Sequence, residues 1–163
     1  GSGNYVENGN LSLSGGAKFV VTGHAKVYVK GSVSFSGNAY IEIQPRASLE
    51  LFVGGSSASI GGNGIMNLNN TASSFAYWGL NSNTSVSLGG NAAFTGTLYA
   101  PYAHLSMGGG GNNTYDVVGA AVVNSVQMNG HFNLPYDDAL GKFGPKIGYL
   151  IDSWNETAGW VEI

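Results

Sequence analysis

Along most of this chain hydrophobic residues recur at every second position, in short runs. Ala25, Val27 and Val29 alternate with Lys26, Tyr28 and Lys30. Ala39, Ile41 and Ile43 alternate with Tyr40, Glu42 and Gln44, and Ala47, Leu49, Leu51 and Val53 with Ser48, Glu50 and Phe52. A period of two sends one set of side chains to a core and the other to solvent, so these runs predict β-strands. Gly or Asn stands at nearly every break between them, where a sharp corner calls for positive φ. The cleanest stretch predicts strands over Val33–Phe35, Ala39–Ile43 and Ala47–Val53.

The strands belong to a repeated phrase. LSLSGGA, VSFSGNA, ASIGGNG, VSLGGNA, LSMGGGG and VQMNGHF begin at Leu11, Val33, Ala58, Val86, Leu105 and Val126. Most read apolar, polar, apolar, small, Gly. Their anchor glycines, Gly15, Gly37, Gly62, Gly90, Gly109 and Gly130, lie 22, 25, 28, 19 and 21 residues apart. A strand-plus-glycine phrase at that spacing predicts a chain wound into a solenoid: an all-β, parallel β-helix of about five coils, right-handed by the general rule. An antiparallel sandwich would not repeat one phrase in the same order six times, and 27 glycines leave no long helical period. An offset of 22, the first anchor interval, stacks Ala25, Val27 and Val29 under Ala47, Leu49 and Leu51, and Tyr28 under Glu50.

The pattern loosens over Thr71–Asn83, where TASSFAYWGLNSN reads as a wider coil carrying Phe75, Tyr77 and Trp78, and returns at Thr84. Tyr115–Val123 and Val126–Met128 complete the last coil, with Val117–Val123 read as a buried strand. The coils occupy 4–134. From Pro135 the phrase is gone, and the segment holds two of the three Trp and half of the four Pro. A solenoid end needs a cover over its open core and strand edges, so 135–163 is read as a C-terminal cap, with a short helix over Asp137–Lys142 and a strand over Gly159–Ile163. The whole is one domain, read as excised from a longer protein.

Composition narrows the function. Of 163 residues only 9% are charged, the net charge is −3 and there is no Cys. Gly, Ser and Asn supply the polar surface, which suits an exported surface or shaft protein rather than a cytosolic enzyme. Lys18, Lys26, Lys30 and Arg46 make the first third weakly basic, too sparse for nucleic acid. No apolar run spans a bilayer, so no membrane insertion by this domain is expected.

The phrase Gly-Thr-Leu-Tyr-Ala-Pro-Tyr-Ala (Gly96–Ala103) and the later Pro-Tyr-Asp-Asp-Ala-Leu (Pro135–Leu140) resemble the β-helical domains, of uncharacterised function, of bacterial type IV pilus-associated, pilin-like surface proteins. Tyr136, Asp137 and Leu140 match that family's ending, with Pro135 in place of its His, and Trp154, Asn155 and Glu156 match its last element. The resemblance spans about residues 25–156. It implies an extracellular or cell-surface domain on a pilin-like stem, with other domains of its parent protein or pilus components as partners, and it supplies no catalytic residues.

Candidate chemistry is sparse. Polysaccharide-cleaving β-helices need clustered carboxylates. Glu42 and Glu50 sit on outward positions of adjacent predicted strands without a second acid beside them, and Asp137–Asp138 reads as a helix cap. His24, His104 and His131 share no metal-ligand spacing. Gly108–Gly111 lacks the Lys-Ser/Thr of a phosphate loop. The threonines do not stack as an ice-binding array would. No catalytic residue, metal or cofactor is therefore expected. Aromatic residues carry the one functional expectation: Tyr28, Phe52, Tyr77 and Tyr99 on outward positions of successive coils as one strip, with Trp78 the alternative to Tyr77 in the middle place and Tyr40 also facing solvent. Such a strip would bind a polysaccharide or cell-surface glycan by stacking on sugar rings. The expected function is a non-enzymatic, adhesin-like binding or spacer domain. The alternatives are a carbohydrate-active lyase or hydrolase, and a purely structural shaft.

Overall fold

The computed structural model describes residues 1–90, 94–109, 115–129 and 132–133, and these wind as a parallel β-solenoid of about 5 turns. In chain order the strands are β1 (Gly3–Glu7), β2 (Leu11–Leu13), β3 (Lys18–Val21), β4 (His24–Val29), β5 (Val33–Phe35), β6 (Tyr40–Ile43), β7 (Ser48–Val53), β8 (Ser57–Ile60), β9 (Gly64–Asn67), β10 (Phe75–Gly79), β11 (Ser85–Gly90), β12 (Phe94–Gly109), β13 (Tyr115–Asn129) and β14 (Phe132–Asn133). One 3-10 turn, Ala72–Ser74, precedes β10.

Three faces follow from the pairing. The first carries β1, β4, β7, β10 and the start of β12; the second carries β3, β6 and β9; the third carries β2, β5, β8, β11 and the end of β12. The long strand β12 joins the first and third faces: Thr97–Tyr99 pair with β10 and His104–Gly109 with β11. Its register against β13 shifts between Ala100 and His104, around Pro101.

The repeated phrase is the third face. Its first positions stack in one column, Leu11, Val33, Ala58, Val86, Leu105 and Val126, and its third positions in another, Leu13, Phe35, Ile60, Leu88, Met107 and Met128. Gly15, Gly37 and Gly62 sit at successive corners with φ of 64°, 67° and 63°, the left-handed region that glycine enters without a Cβ clash. Gly90 and Gly109 instead pair inside strand ends.

Alternation predicts the core correctly. Val27, Ile41, Leu49, Leu51 and Leu98 are all buried, in one hydrophobic cluster that runs through the coils. The offset of 22 does not carry over to the pairing of β4 with β7. It holds between the first two coils on all three faces, but His24 pairs with Ser48, 24 residues on, and Tyr28 lies beside Phe52 rather than Glu50. Val21 and His24 pair with Ile43 and Ser48. Thr22 and Gly23 span that corner in one coil; Gln44, Pro45, Arg46 and Ala47 span it in the next. The added pair leaves the alternation intact and slides the following strand by two.

Val117–Val123 is not a buried strand: Ala120 to Val122 are exposed and its ends half-buried. It is part of β13, which pairs along β12 and, among the described residues, continues the ladder only into the two-residue β14. The expected cap over 135–163, with its helix and strand, lies outside the described residues, as do His131, Asp137, Asp138 and Trp154–Glu156.

Candidate functional site

On the first face, strand pairing brings the outward residues Tyr28, Phe52, Trp78 and Tyr99 into one column, one per coil, with Val6 before them and Val122 after. The Phe52 and Trp78 rings are nearly parallel, 9° apart with centroids at 6.0 Å, and Trp78 and Tyr99 are tilted by 53° at 5.5 Å. Contacting faces in full register would lie about 3.5–4 Å apart, so the Phe52 and Trp78 rings do not eclipse one another. Tyr99 is 46% exposed, and Tyr28, Phe52 and Trp78 are half-buried. The result is a continuous apolar stripe along the solenoid axis.

Tyr77 is not part of that stripe. It points inward, is fully buried, and donates a hydrogen bond from its hydroxyl to Asn83 Oδ1 at 3.0 Å. Asn83, also fully buried, donates from Nδ2 to the Gly55 carbonyl at 3.0 Å. Burial raises the Tyr77 phenol well above its ordinary range, partly offset by the bond to Asn83. In Phe-Ala-Tyr-Trp-Gly no polar residue marks the outer side, so alternation alone does not choose between Tyr77 and Trp78. Pairing with Leu49–Val53 does, setting Tyr77 beside Leu51 and Trp78 beside Phe52. Tyr40 lies on the second face, with Lys18 Nζ 5.2 Å from its ring centroid, and does not extend the stripe.

A groove of about 500 Å³ opens beside the stripe at Trp78, its lining mixing polar residues with Ala47, Leu49 and Ala76. Its walls include His24, Arg46, Ser48, Glu50, Ser74 and Trp78. His24 Nδ1 is 2.9 Å from Ser48 Oγ, and Glu50 Oε1 is 2.9 Å from Lys26 Nζ. The Trp78 indole nitrogen is buried and has no hydrogen-bond partner among the described residues. Arg46 rides on the longer corner with φ 67°. Asn69, from the next coil, staples that corner: Oδ1 accepts from the Arg46 amide at 2.7 Å, and Nδ2 donates to the Gln44 and Ala47 carbonyls at 3.2 and 3.0 Å. The sequence reading missed this groove, because nothing in the local pattern around Pro45-Arg46 shows what the corner will lean over.

It also missed the serine column of the third face. Ser12, Ser34, Ser59, Ser87 and Ser106 stack in register, followed by Gln127. The constant Ser at the second place of the phrase was the available signal. Beside it Ser57, Ser85, His104 and Ser125 form a second column, with His104 Nδ1 2.8 Å from Ser125 Oγ.

Glu42 and Glu50 fall on different faces, the second and the first, so they form no carboxylate pair. Among the described residues no group of three or more His, Cys, Asp or Glu gathers as a metal site would require, and no helix is long and apolar enough to cross a membrane.

These features define a parallel β-helix with a column of aromatic residues on one outer face and a groove beside Trp78. The chain belongs to the family described as Domain of unknown function (DUF7305), whose model matches residues 1–143. No curated protein and no solved structure matches the chain significantly.

Proposed function

We propose that this domain is a non-catalytic module of an exported or cell-surface protein that holds a polysaccharide along the Tyr28–Phe52–Trp78–Tyr99 column. The observation that carries the reading is that column itself. Four aromatic residues on successive coils repeat at about the 4.8 Å strand spacing, which makes a rigid linear platform for a linear polymer. Apolar ring surface left toward water is unfavourable unless a partner covers it. Ser48 and Ser74 in the groove beside Trp78 provide donors and acceptors for sugar hydroxyls. Separation of Glu42 from Glu50 favours holding a glycan over cleaving it. The resemblance to pilin-like surface proteins fits a module displayed at a cell surface and joined to other domains of its parent protein.

The test is binding to a glycan array and to insoluble polysaccharides, with Trp78→Ala and the Tyr28→Ala/Tyr99→Ala double variant. Each stacking contact is worth about 0.5–1.5 kcal/mol, so the double variant is expected to bind about tenfold or more weakly while remaining folded by circular dichroism. A parent chain that binds no glycan, or variants that bind as well as the parent, would return the domain to a plain structural shaft.

A further inference from the structure

The groove beside the aromatic column carries groups that the stacking platform does not need. Arg46 is exposed at the groove wall and forms no ion pair among the described residues. Its guanidinium offers five donors and no acceptor. Among the described residues the only acid on the groove wall, Glu50, is already engaged by Lys26 at 2.9 Å. What remains unpaired on the wall is the Arg46 guanidinium, a donor-rich cation.

The backbone points the same way. Arg46 holds φ 67°, which costs an ordinary side chain free energy that glycine would not incur. Three hydrogen bonds from Asn69 keep this corner in place. The corner is thus fixed before any ligand arrives, so little ordering is required of it on binding.

We infer that the groove seats a carboxylated sugar, so that the polymer held on the aromatic column is a uronate-containing polysaccharide. The carboxylate meets the Arg46 guanidinium, which matches two carboxylate oxygens with two parallel N–H donors. This rests on the proposed glycan-holding role and adds the chemistry of the glycan.

The experiment compares polygalacturonate, alginate and hyaluronan, each beside its methyl-esterified form, in titrations with the parent chain and with Arg46→Gln, Arg46→Gly and Lys30→Gln. Arg46→Gly removes the guanidinium and relieves the left-handed backbone, so its melting temperature is expected to hold or rise. The parent is expected to bind at least one acid form about tenfold more tightly than its ester, with a gap that narrows as salt is added. Both Arg46 variants are expected to bring the acid form down to the ester's level. Lys30→Gln, an exposed cation that does not line the groove, is expected to keep the preference. Equal binding of acid and ester by the parent, or a preference that survives both Arg46 variants or vanishes in Lys30→Gln, would overturn the carboxylate seat and leave the aromatic platform standing. Binding of neither acid nor ester by the parent would overturn the seat and the glycan-holding role together.

Discussion

Replacing Tyr77 by Phe separates the two adjacent aromatic residues of β10 by their work. The ring stays and only the hydroxyl goes, so packing against Leu51 and Leu98 changes little. What is lost is the 3.0 Å bond to Asn83 Oδ1, in a site where both residues are fully buried. An acceptor stranded in such a site costs about 1–3 kcal/mol. Taking about 2 kcal/mol, and about 2–4 °C per kcal/mol for a domain of this size, the melting temperature should fall by roughly 4–8 °C. The pH dependence gives a second reading of the same contact. Burial raises the folded-state phenol above its unfolded value, so the unfolded chain releases this proton first. Below about pH 10, the unfolded value, the contribution is fully present; above it, the parent loses about 1.4 kcal/mol per pH unit from this residue. The Phe variant lacks that slope, so the gap between the two chains should narrow on going alkaline. Thermal melts by circular dichroism from pH 7 to 11 measure both effects, and a polysaccharide pull-down at pH 7 should show binding unchanged. A Tyr77→Phe chain as stable as the parent across that range, or one that loses glycan binding while Trp78→Ala keeps it, would refute the inward placement of Tyr77.

Two further outcomes test the winding. Leu49→Ala, in the core at 1% exposure between Ala25 and Phe75, should cost about 2–5 kcal/mol in denaturant unfolding; a loss under 1 kcal/mol would contradict the stacked core. Gly55→Ala should cost about 3 kcal/mol, because the new Cβ would overlap the backbone of Gly31 and Ser32 in the coil beneath; a neutral variant would mean the two corners do not stack.

Much of the architecture is legible in the residue pattern because a strand's alternation is a local property. Cβ atoms point to opposite sides at successive positions, so Val27, Ile41, Leu49 and Leu51 declare their side without reference to the rest of the chain. The repeated phrase adds the long-range part: six similar strands at about one coil's spacing have few ways to pair other than on top of each other. The first three anchor glycines stand out for the same reason, since a corner repeated at one height in each coil repeats its demand for positive φ.

Phase between coils is a different quantity, set by how many residues each corner consumes. Alternation is blind to it, since inserting two residues between Ile43 and Ser48 leaves every side chain facing as before. That insertion moved Tyr28 from Glu50 to Phe52 and so assembled the aromatic column in a register that the 22-residue repeat did not predict. Where a strand is apolar throughout, as in Phe75–Gly79, even the facing is undetermined locally, and the pairing with β7 placed Trp78 outward and Tyr77 in the core. The residue sequence by itself therefore determined the wound sheet, its core and the supply of outward aromatics. The tertiary structure alone decided which aromatics meet, and that Arg46, Glu50 and Trp78, 4 to 32 residues apart along the chain, wall one groove, because contacts between coils depend on summed corner lengths and not on the pattern within any strand.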